Sequence, residues 1–243
     1  MLSNNSITRK CFYLAILLLT CVAWDQLYVC AGVAEETESG GQEWNHIKTV
    51  LMSAEYGGRS GVVERWNRSP LITAVGASKT DQAYIESLIM SWNQILAETP
   101  IQLKYTNDAR ADIGIIFADR ANFKEISAIY GFQIVEGGVG FAGTIVDNQH
   151  HMRMGLVLID NKLLDHERKA TIAQELYHTL GPINDSPYFP ASVVFEDETM
   201  PSSAIKLADV DRKLLKFLYA YLKPGDLQSD TREAFIKFWD TLE

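Results

Sequence analysis

The chain has 243 residues, 47% of them apolar and 22% charged, with a formal charge of −9. That length supports one sizeable core, and the composition excludes wholesale disorder, collagen and repeat arrays. An acidic chain with no basic stripe beyond its first residues is no nucleic-acid binder, because phosphate recognition needs clustered Lys and Arg.

Arg9 and Lys10 precede an apolar run from Cys11 to Trp24, and small residues follow at Ala31, Gly32 and Ala34. This order is an export-signal pattern, so residues 1–34 are expected to be a signal peptide cut after Ala34 and the protein periplasmic or secreted. The run is shorter than a membrane span, but apolar residues resume after Asp25. An anchor over residues 11–34 is therefore the alternative, and an uncleaved leader the only expected membrane contact. Cys11, Cys21 and Cys30 all lie in this leader, which removes cysteine chemistry from the mature chain.

Residues 35–43 are polar and read as a tether, followed by a short helix from Trp44 to Tyr56 with Trp44, Ile47, Val50, Leu51 and Ala54 at helical spacing. Strands are expected at 71–76, 101–106, 112–119 and 152–160, with a Gly-rich stretch over 137–147 before the last of them. Between them a helix capped by Thr80 or Asp81 runs to about Glu98, and a short one spans 124–130. Asp147 and Asn148 open a hairpin turn. Helices then follow at 167–180, 209–222 and from Ser229 or Asp230 onward, the last carrying Phe235, Ile236, Phe238 and Trp239. Strands mixed with helices, then helices and loops, make the fold class α+β.

One segment carries chemistry: TIAQELYHTLGPIND, Thr171 to Asp185. A zinc-peptidase helix places His at i and i+4 on one face as ligands, with a Glu at i+1 polarising the attacking water. Those places hold Gln174, His178 and Glu175 here. Gly181 follows three residues after His178, and Asn184, with Asp185 beside it, stands where a third ligand belongs. This segment resembles the metzincin zinc metallopeptidases, and within them the compact matrixin-like domains. Trp66 with Pro70-Leu71, Trp92 with Thr99-Pro100-Ile101, Ala111-Asp112-Ile113 with Phe117, and Leu207, Asp211, Leu215, Leu218 and Tyr219 are similar to successive family elements, over roughly residues 64–222. The chain also resembles a bacterial family of exported proteins of unknown function with a degenerate version of this helix. In that family the helix is followed by Asn-Asp and a Ser-aliphatic-Phe-acidic stretch, as at Asn184-Asp185 and Ser192 to Asp197.

The resemblance implies a mixed, mostly parallel sheet with two packed helices and a helical C-terminal subdomain. The metzincin-like domain would span 64–243, after a tether and short helix over 35–63. It also implies Glu175 as catalytic base and Gln174, His178, Asn184 and Asp185 as the set facing a metal. Amide oxygens are poor zinc donors beside imidazole, and Asp185 is one residue out of register. Met200 is the candidate for the family's methionine turn. The expectation is a non-catalytic, peptide- or protein-binding pseudopeptidase of the cell envelope with no cofactor. The alternative is a divergent zinc metalloendopeptidase with Glu175 as general base, and a third reading is a purely structural envelope protein. In metzincins the strand equivalent to Val139–Val146 borders the cleft, so a peptide partner is expected along that edge. His150 and His151 lend a ligand only if their hairpin folds over the cleft, and His46 and His166 are expected on the surface. Trp44, Trp66, Trp92 and Trp239 are expected in the core.

Overall fold

Five short runs rich in apolar and β-branched residues become strands: Leu71–Val75 (β1), Lys104–Tyr105 (β2), Ile113–Ala118 (β3), Gly140–Val146 (β4) and Met152–Asp160 (β5). They form one sheet in the order β2-β1-β3-β5-β4, parallel except for β4, which pairs antiparallel with β5 at one edge. The structure, a computed structural model, describes residues 41–52, 61–108, 110–134, 137–197 and 201–242. The leader, most of the tether, Ala54, Tyr56 and Met200 lie outside them. No helix among the described residues is long and apolar enough to cross a membrane.

β5 is buried without a break from residue 155 to 160, as a strand covered on both faces must be. On one face lie the helices Lys79–Ile95 (α2) and Asp165–His178 (α4), joined by Arg168, whose Nε donates to Asp81 Oδ1 at 2.8 Å. Trp92 packs edge-on against Tyr177 at 5.9 Å between ring centres. The other face carries the short helix Phe123–Ile129 (α3) over a small cluster of Phe123, Leu156 and Leu158. The helices Gly41–Met52 (α1), Asp209–Tyr221 (α5) and Gln228–Phe238 (α6) complete the main core through Ile47, Val50, Phe217, Leu218 and Phe235. The α+β class, the mixed and mostly parallel sheet, the two packed helices and the helical C-terminal part are those expected from the sequence.

Local differences have local causes. The expected strand at 101–106 shrinks to two residues because side chains satisfy its backbone first. Asn93 bonds both N–H and C=O of Leu103 at 2.8 and 2.9 Å, and Ser69 Oγ accepts from Gln102 N at 2.9 Å. α2 is capped by Ser78 rather than Thr80 or Asp81, since Ser78 Oγ accepts from Asp81 N at 3.1 Å, the geometry a capping serine needs.

Candidate functional site

α4 begins with Asp165 and Glu167, whose charges suit the positive end of a helix, and ends where Gly181 adopts φ +126°. A Cβ at Gly181 would stand 2.6 Å from Leu218 Cδ2 and 3.0 Å from the Glu64 carbonyl, so this turn requires glycine. The carbonyls left over at the helix end are satisfied from elsewhere. Trp66 Nε1 donates to Thr179 O at 2.8 Å and the Tyr219 hydroxyl to Leu180 O at 2.7 Å. Two aromatic residues from the family-like segments thus hold this helix end in place.

Gln174 and His178, one turn apart, meet at Asp185. Gln174 Nε2 donates to Asp185 Oδ1 at 2.8 Å, and His178 Nε2 lies 3.3 Å from the same oxygen. His178 Nδ1 faces the Pro182 carbonyl. Burial pushes the His178 pKa down, but the Asp185 hydrogen bond and charge, Glu175 and the Pro182 carbonyl outweigh it and hold it up at about 9. Burial likewise works against Asp185 ionising, and its bonds with His178, Glu196 and Gln174 win, leaving its pKa below the usual carboxylate value. At neutral pH the pair is therefore imidazolium and carboxylate, with both ring nitrogens acting as donors.

Asn184, expected as a third ligand, is not brought into this cluster. Its Nδ2 donates to the Thr49 and Val50 carbonyls at 3.1 and 3.4 Å, in the last turn of α1. Glu175 instead faces the edge strand. A Cβ on Gly140 would lie 2.5 Å from Glu175 Oε1 and 2.4 Å from Thr171 Cγ2, so only glycine lets β4 approach α4 this closely. Val139 and Ile145 along that edge are exposed.

These residues do not fit a zinc ion. Zinc takes three protein ligands, and the point where these side chains meet offers one imidazole, His178, and one carboxylate, Asp185, beside the weakly donating Gln174 amide. Among the described residues no three His, Cys, Asp or Glu side chains converge on one point.

The loop after the helix is built around Asp211. Its carboxylate accepts from Ser192 Oγ at 2.5 Å, Val193 N at 3.0 Å and Ala208 N at 2.9 Å, and burial pushes its pKa up to about 6. Ser186 N donates to Val194 O at 2.8 Å, which closes the loop and sets Asp185 beneath α4. The Ser192-to-Asp197 pattern is thus a scaffold for Asp185.

His46, expected on the surface, is fully buried. Its Nδ1 is 2.8 Å from Ser186 Oγ, its ring meets Phe189 edge-on at 5.0 Å, and burial lowers its pKa to about 4. His166 is exposed as expected. His150 lies near Gly225 and His151 is 3.3 Å from Asp147, at the end of β4 opposite Gly140. A strand of that length spans about 20 Å, so the hairpin does not reach Glu175.

A mixed sheet with an antiparallel edge strand over a helix bearing Gln174, Glu175 and His178 defines an α+β domain. The chain belongs to the family described as a protein of unknown function (DUF2927), whose family model matches residues 45–237. No curated protein matches the sequence. Among solved structures it is similar to two of myroilysin, each at 10% identity. One has a TM-score of 0.42 over 71% of this chain and 92% of that one; the other has 0.41 over 67% and 99%.

Proposed function

We propose that this chain is an exported, non-catalytic peptide-binding domain, a peptidase-like scaffold whose metal centre has been replaced by an ion pair. The observation that carries the reading is the engagement of both His178 nitrogens, by Asp185 and by the Pro182 carbonyl, with Asn184 turned away into α1. Peptide capture is supported by β4, an edge strand pressed against α4 at Gly140. Asp160 N donates to the Val139 carbonyl at 3.0 Å, so by antiparallel alternation Gly140 and Ala142 turn their backbone groups away from β5. An extended peptide adds to such a row through main-chain hydrogen bonds.

The test is binding of a degenerate peptide pool to untagged protein. Binding should survive a chelator and fail in Ala142→Pro, which removes an outward N–H while sparing the β5 ladder. Equal binding by that variant would remove the edge from the account. A second reading, a divergent metallopeptidase with Glu175 as general base, is favoured by the closeness of that carboxylate to β4. Stoichiometric zinc in untagged protein, with peptide cleavage abolished by Glu175→Ala, would establish it instead.

A further inference from the structure

At the end of the sheet where β3 and β5 finish and β4 begins, a cavity of about 480 Å³ opens beside Gly138 and Gly140. Crevices beyond the carboxyl ends of parallel strands are the usual ligand sites of such sheets, and this volume suits one side chain and its neighbours. The floor is apolar: Phe123, Ile134 and Phe141. Its rim carries Arg120, Lys124 and Lys162 against Asp119 and Asp160, a surplus of cations on a chain whose net charge is −9. Asp119 shares the Lys162 ammonium, and Asp160 Oδ1 accepts from Lys162 N at 3.0 Å. A second carboxylate would thus share Lys162 with Asp119 and take its main charge from Arg120, whose Nη1 also donates to the Gly137 carbonyl at 3.3 Å. Apolar floor and basic rim together fit a carboxylate attached to an apolar group.

The direction of β4 says where such a group comes from. A peptide added antiparallel to β4, the somewhat more stable arrangement, runs from the Val146 end toward Gly140 and finishes at this cavity. We infer that the cavity receives the last residue of a bound peptide, an apolar side chain on the Phe123–Phe141 floor and the free α-carboxylate between Arg120 and Lys162. This rests on the strand-addition reading above and names the ligand class: peptides or proteins with an exposed, apolar C-terminus.

The experiment compares two fluorescein-labelled degenerate octapeptide pools ending in leucine, one with a free carboxylate and one amidated, against the described domain in the full chain. The free-acid pool should bind at least tenfold more tightly. The double variant Arg120→Ala/Lys162→Ala should lose that preference while keeping its melting midpoint, both side chains being exposed. Equal binding of the two pools, abolished by Ala142→Pro, would overturn the carboxylate site and leave strand addition standing. Acid preference that persists in the double variant would place the reader elsewhere and also overturn it. Binding of neither pool would remove both readings together.

Discussion

Gly140 is the residue on which the closeness of edge strand and site helix depends. A methyl group there has to displace Thr171 Cγ2 and Glu175 Oε1, both within 2.5 Å of its position. Overpacking of this kind costs about 1–3 kcal/mol, so Gly140→Ala should lower the urea midpoint and weaken peptide binding together. Unchanged stability would mean that Glu175 yields at no cost and that the close approach is incidental. At His178 the relevant quantity is charge. Its folded pKa, about 9, lies above the 6.5 of an unfolded histidine, so the stabilisation is complete below pH 6.5 and is lost as pH rises through 9. Thermal midpoints should fall across that interval, and Asp185→Asn should flatten the fall by removing the partner that raises the pKa. An identical slope in that variant would show that the ion pair does not couple to folding.

Among the elements, α1 depends most on a distant segment. Asn184 donates side-chain and backbone N–H groups to the carbonyls of its last turn, and His46 reaches Ser186 across the same junction. Removing a buried donor strands its acceptors at about 1–3 kcal/mol, so Asn184→Ala should destabilise the domain and speed hydrogen exchange in α1 first. Exchange accelerated evenly throughout would argue against a local clasp. The same junction shows what the sequence could and could not disclose. His46 stands four residues before Val50, hence on the buried stripe of α1, and that spacing was legible although the residue type argued for the surface. The direction of Asn184 was not. Its distance from His178 matches a ligand position, but Gly181 turns the chain through a positive φ before Pro182, and spacing alone cannot say which of two adjacent side chains then faces the helix. Strand β2 was overread for a similar reason: its composition is that of a strand, while the competing hydrogen bonds come from Asn93 and Ser69, distant in sequence.

At the scale of the whole molecule, the separate strands and the site helix were readable from apolar runs and helical spacing, the mostly parallel sheet only from the family resemblance, and the strand order not at all. The state of the centre depends on where three segments converge, which no period records. That convergence makes the absence of a metal donor set a testable property of the fold. A ligand that binds only the folded state stabilises it by about 2.7 kcal/mol at a hundredfold excess over its Kd, a shift of several degrees in a domain of this size. Zinc added to wild-type protein should leave the melting midpoint where it is, since one imidazole and one carboxylate beside the Gln174 amide fall short of the three donors zinc takes. In Gln174→His a second imidazole would replace an amide that lies 2.8 Å from the same Asp185 oxygen, bringing two His and one carboxylate to a common point, a ligand set zinc accepts. That variant should gain a zinc-dependent rise in midpoint, reversed by chelator. A rise already present in the wild type would return Glu175 to the role of general base, and no rise in the variant would mean that α4 and the Asp185 loop no longer hold a metal-sized geometry between them.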